Sequence, residues 1–187
     1  SDYYRNVSDN KCRIRSVYLL DNGGSIKLSH ERGYYAEYSE TNPIGYKNSG
    51  EAGARMYELK REWSDAVTKA VEAGNRISNY DGTVNYGYDE LDKDGDGCID
   101  SITIIYKNAT QSNIAVGWGS PLWNYKDYAD YLVINTDKGS VKSRMYVQLT
   151  NSYTKPDGDT LGYLYKDSQG NVIVSQAAAI HEMGHIM

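Results

Sequence analysis

Ser175-Gln176-Ala177-Ala178-Ala179-Ile180-His181-Glu182-Met183-Gly184-His185-Ile186-Met187 is the stretch whose reading decides the fold. Three consecutive alanines are strong helix formers, and Ser175 is a candidate N-cap. Residues four apart on a helix share a face, so His181 and His185 can reach one metal ion together. Glu182 stands one position along, where a general base acting on water beside that ion has to be. No charged side chain other than Glu182 occurs from Ser175 to Met187, as expected of a buried active-site helix. Two surface histidines around a chance glutamate would spell the same five letters. The small apolar flanks, and a total of only three histidines in the chain, favour a zinc site.

A catalytic zinc takes three protein ligands and leaves a fourth position for water. Only Ile186 and Met187 follow His185, so the third ligand comes either from upstream or, as this reading expects, from beyond Met187. In the latter case residues 1–187 alone should bind zinc weakly and show no peptidase activity. The remaining histidine, His30, is the first upstream candidate, but it lies beside Glu31 and Arg32 and reads as a surface residue in a turn.

A second chemical signal lies upstream in Asp92-Lys93-Asp94-Gly95-Asp96-Gly97-Cys98-Ile99-Asp100. Asp92, Asp94, Asp96 and Asp100 occupy positions one, three, five and nine of a calcium loop, and Cys98 at position seven offers its backbone carbonyl. Gly97 permits the sharp turn at position six, and Ile99 at position eight is expected to anchor the loop in the core. Thr103 stands at position twelve, where an EF-hand carries a bidentate glutamate, and a strand rather than a helix is expected to follow. Without a cation the four aspartates would repel one another, so Ca2+ is the expected occupant. The bland reading is an acidic turn whose aspartates satisfy backbone amides.

The composition bounds what surrounds these motifs. At 187 residues the chain suits one domain with a real core. A net charge of −5 leaves no nucleic-acid footprint. No apolar run approaches the roughly 18 residues that span a membrane. No signal peptide is present, which does not settle the compartment, because a secreted protein would have lost one. Tyrosine replaces phenylalanine throughout, with 19 Tyr and no Phe, and many of these rings are expected on half-wet sheet faces. Cys12 and Cys98 are the only cysteines and could pair only in an oxidising compartment.

Periodicity places the rest. Arg13–Leu20 and Ser25–Ser29 read as strands around the Asp21-Asn22-Gly23-Gly24 turn, with Tyr34–Tyr38 a third. A long helix runs from about Glu51 to Ser78, with Met56, Leu59, Trp63, Ala66, Val67, Ala70 and Val71 as its buried stripe. Residues 79 to 100 read as loop, Ser101–Tyr106 as a buried strand and Gly117–Tyr131 as an aromatic loop. Strands follow at Tyr131–Asn135, Val141–Leu149, Leu161–Tyr165 and Asn171–Val174. Asp157-Gly158-Asp159 reads as a hairpin tip.

With both motifs in place, the chain resembles the immune inhibitor A family of secreted bacterial metallopeptidases. The likeness is carried by Ala179-Ile180-His181-Glu182-Met183-Gly184-His185 and by Tyr88-Asp89-Glu90-Leu91-Asp92 running through Asp100-Ser101-Ile102-Thr103-Ile104-Ile105-Tyr106. Asp2-Tyr3-Tyr4-Arg5-Asn6-Val7-Ser8, Trp63-Ser64-Asp65-Ala66-Val67 and Pro121-Leu122-Trp123 match at the level of pattern. The resemblance implies an α+β, zincin-like fold: a mixed twisted sheet, a long backing helix and a C-terminal active-site helix. It implies that residues 1–187 are a catalytic domain cut at both ends, and that the protein is extracellular. It also implies zinc-dependent hydrolysis of peptide bonds in protein or peptide substrates, with Glu182 as general base. The alternative is a calcium-stabilised adhesion or glycan-binding module in which the histidine motif is vestigial.

Overall fold

The computed structural model describes residues 2–12, 14–19, 26–79, 81–106, 120–123, 125–150, 153–154, 160–161, 164–166, 169, 172–174 and 177–185. In chain order these form α1 (Asp2–Val7), β1 (Tyr18–Leu19), α2 (Ser49–Glu72), β2 (Ile77–Ser78) and β3 (Asn85–Tyr86). Then come β4 (Ile102–Tyr106), β5 (Tyr125–Tyr128), β6 (Val133–Thr136), β7 (Gly139–Lys142) and β8 (Met145–Thr150). β9 (Tyr153–Thr154), β10 (Thr160–Leu161), β11 (Leu164–Lys166), β12 (Val172–Val174) and α3 (Ala177–Gly184) complete the order. The fold is mixed α and β, with small sheets and few helices. No helix among the described residues is long and apolar enough to cross a membrane.

The sequence explains both ends of α2. Asn48 caps the start, its Oδ1 accepting from the Glu51 amide at 3.0 Å, while the Glu51 carboxylate reaches back to the Lys47 amide at 2.8 Å. Two otherwise orphaned amides are satisfied this way. The far end stops six residues short of the expected Ser78. Gly74, at φ +84°, takes the left-handed position that lets the chain reverse. The Gly74 amide bonds Val71 O at 2.9 Å and the Asn75 amide bonds Ala70 O at 3.0 Å, which is the Schellman closure. Ile77 and Ser78 are thereby freed to pair with β1 and β3.

Of the expected stripe of α2, Trp63 and Leu59 are buried, at 2% and 1% exposure, while Met56, Ala66, Val67, Ala70 and Val71 are half-buried. Trp63 packs with Ile99, Ala129, Leu132, Ile134, Val141 and Tyr146 in the larger core cluster. Leu59 joins Tyr35, Tyr106 and Leu122 in the second. The main sheet is three-stranded, in the order β4-β8-β5. β4 runs parallel to β8, pairing Ile102 with Tyr146 through Tyr106 with Thr150. β5 runs antiparallel to β8, pairing Tyr125 with Gln148 and Tyr128 with Met145. Residues of α3 approach both β8 and β5.

Several expected strands come out differently. Tyr34–Tyr38 is replaced by a 3-10 turn over Arg32–Tyr35, which buries Tyr35 completely against the Leu59 cluster instead of alternating its side chains. Residues 26–29 form no strand. The loop expected over 79 to 100 contains β3 and a 3-10 turn at Tyr88–Leu91. The expected Gly117–Tyr131 loop contains β5. Val141–Leu149 is broken at Ser143 and Arg144. The buried Ser143 hydroxyl bonds the Ala129 carbonyl, and the Ser143 amide donates to Leu132 O at 2.8 Å. β4 is not wholly buried, since Thr103 and Ile105 face outward and Ile105 is 50% exposed. The Asp21–Gly24 turn, the Asp157–Asp159 tip and the Ser175 cap lie outside the described residues.

Candidate metal centre

α3 carries the histidine motif. Its helix ends at Gly184, and the His185 amide folds back onto the Glu182 carbonyl at 3.2 Å. His185 is therefore the first residue past the helix, held by a tighter final turn. The two imidazoles nevertheless lie side by side. Their Nε2 atoms stand 3.2 Å apart, with the rings nearly perpendicular at 87°.

That separation can be tested against zinc. Two bonds of about 2.0–2.1 Å at a tetrahedral angle set their nitrogens roughly 3.3 Å apart. The imidazole pair already spans one edge of such a tetrahedron. A hydrogen bond between one protonated and one bare ring nitrogen is compatible with the same distance. The ligand atoms of His181, Glu182 and His185 all lie within 4.8 Å of one another. The helix is not buried as its apolar flanks predict: His181, Gly184 and His185 are exposed and Ile180, Glu182 and Met183 half-buried, so an ion there would be open to solvent. No other His, Cys, Asp or Glu joins this group among the described residues.

His30 is engaged elsewhere. Its Nε2 meets Glu58 Oε1 at 3.1 Å and its ring stacks on Tyr34, with centroids 3.9 Å apart.

The acidic loop is ordered by its own carboxylates. Asp92 Oδ1 accepts from the Gly95 and Asp96 amides at 2.8 and 3.1 Å, and its Oδ2 accepts from Gly97 at 3.0 Å. Gly95 and Gly97 have φ of +76° and +82°, which turns these amides inward without a Cβ penalty. The Asp100 amide closes the loop onto Leu91 O at 2.9 Å. Ile99 is 4% exposed in the larger core cluster, as its position in the loop predicts. The carboxylates of Asp92, Asp94 and Asp100 converge within 4.8 Å. Asp96 is not in that group; its Oδ1 accepts from the Cys98 amide at 2.7 Å. The carbonyl that pairs with Lys142 is that of Gly97, not of Cys98. The Asp100 carboxyl is held above its ordinary value, by burial first and then by the charges of Asp94, Asp92 and Asp96, against a lowering bond from the Lys93 backbone. Hard oxygen donors crowded in this way suit Ca2+. Cys12 and Cys98 are both free thiols.

One contact at the histidine helix was not legible in the motif. The Tyr4 hydroxyl of α1 donates to the Ile180 carbonyl of α3. The two residues are 176 positions apart, and no local pattern signals such a pairing. No family model matches the chain, and neither does any curated protein or solved structure.

Proposed function

We propose that the chain belongs to a zinc-dependent endopeptidase of zincin-like fold that acts on extracellular proteins. The observation that carries this reading is the 3.2 Å separation of the His181 and His185 Nε2 atoms, with the Glu182 carboxylate beside them. His181 and His185 would hold the ion, joined by a third protein ligand. Zn2+, when bound, supplies a positive charge that polarises a carbonyl and brings the pKa of water near 7. Glu182 is the general base. It takes a proton from water as the scissile carbonyl is attacked and returns that proton to the departing amine. Its half-buried setting, with the histidines exposed, suits a carboxylate that must receive a proton at an open site. α2 would be the backing helix and the β4-β8-β5 sheet the mixed sheet of such a fold. The outer strands β4 and β5 offer backbone groups that can pair with an extended peptide.

Ca2+ would be a structural ion, held by Asp92, Asp94 and Asp100, with Asp96 and the Cys98 carbonyl drawn in from their present positions. Its convergent carboxylates support that assignment.

Glu182→Gln, made in the full-length protein, tests the peptidase reading. The variant should bind zinc as the wild type does and lose about 10²- to 10⁴-fold in the rate of casein cleavage, the usual worth of a general base. Near-normal turnover in Glu182→Gln would refute the assignment.

A further inference from the structure

We propose that Tyr4 is a positioning residue for the zinc ligands, an inference that rests on the zinc reading above. Tyr4 is 7% exposed on α1, and its hydroxyl donates to the carbonyl of Ile180, the residue immediately before His181. A β-carbon at Gly184, the residue immediately before His185, would stand 3.7 Å from the same hydroxyl. The Tyr4 oxygen thus meets the backbone just ahead of each histidine. A carbonyl oxygen has two lone pairs and can serve the helical ladder and a side chain together.

This support matters because α3 has only eight residues. Isolated helices of that length are marginal in water and depend on tertiary packing. α3 leans on β8 and β5, and Tyr4 adds a directional bond at the turn that sets the His181–His185 spacing. Losing that bond loosens the final turn, so the imidazoles must be ordered by the ion at its own expense. The effect is on metal affinity, not on proton transfer. Tyr4 is therefore not a catalytic residue.

The test is zinc titration of the full-length protein against a chromophoric chelator. Tyr4→Phe keeps the ring and removes the bond. Outer-shell partners of metal ligands are typically worth 10- to 100-fold in affinity, and about tenfold weaker zinc binding is expected here. Tyr88→Phe removes another tyrosine-to-carbonyl bond, to Asn75 O, outside α1 and α3, and should leave zinc affinity unchanged. In the wild type, coupling is reciprocal, so saturating zinc should slow hydrogen exchange at the Ser8 amide, which bonds Tyr4 O at 3.1 Å. Should Tyr4→Phe fail to fold, that exchange measurement decides alone. Wild-type affinity in Tyr4→Phe, an equal loss in Tyr88→Phe, or Ser8 exchange indifferent to zinc would overturn the proposal and leave the zinc reading standing. Failure of the wild type to bind zinc would sink the zinc reading itself, and this proposal with it.

Discussion

The Ile99 amide donates to the Lys142 carbonyl at 2.8 Å, and the Lys142 amide answers with a 3.0 Å bond to Gly97 O. These two bonds fasten the acidic loop to β7. Ile99 enters the core beside Trp63 and Tyr146, and β7 leads through Ser143 into β8, the central strand of the main sheet. An ion in this loop would be felt across the sheet, not only at the surface.

Calcium should therefore raise the melting temperature of the whole chain, because a ligand that binds only the native state stabilises it by mass action. A calcium-selective chelator should reverse the gain. Asp94→Ala, which removes one of the three convergent carboxylates, should abolish most of the calcium response. Melting curves that ignore calcium in the wild type would leave the loop an acidic turn.

Asp100 gives the sign of a pH effect. Its folded pKa is raised, by burial first and then by Asp94, Asp92 and Asp96. A raised group contributes stability below its unfolded value and loses it as pH rises through the folded value. The metal-free chain should lose this contribution between the ordinary carboxylate value of about 4 and the raised one. Asp100→Asn should remove that slope and melt higher than the wild type at neutral pH without calcium. With calcium present the order should invert. Thermal melts over pH, with and without the ion, check both directions.

Much of this was legible in the sequence, for physical reasons. The stripe through Leu59 and Trp63 follows the 3.6-residue period, and Ile99 is the one aliphatic side chain in an acidic loop. The histidine motif needs only the pitch of a helix. What was missed depends on partners distant in sequence. β5, as Tyr125-Lys126-Asp127-Tyr128, has no apolar alternation; it is a strand because β8 offers it an edge. Its Asp127 pairs with the buried Lys60 of α2. Gly74 could have ended α2 on paper, since glycine is the favoured residue just past a helix. Tyr4 could not have been found from its own neighbourhood.

Trp63 is the pivot of the larger core cluster, lying 5.4 Å from the Tyr146 ring. Trp63→Ala should cost about 3–5 kcal/mol, the usual range for emptying an aromatic site. Trp63→Phe should cost less, because part of the volume is kept and the indole nitrogen, buried without a hydrogen-bond partner among the described residues, is removed. Urea unfolding of the two variants measures both.

The central claim is that His181 and His185 together hold zinc. Zinc titration of the purified full-length protein, read by competition with a chromophoric chelator, settles whether they do. One zinc per wild-type protein is expected, with that binding lost in both His181→Ala and His185→Ala while His30→Ala binds normally. A full-length wild-type protein that takes up no zinc, or one whose zinc is undisturbed when either motif histidine is removed, would overturn the assignment.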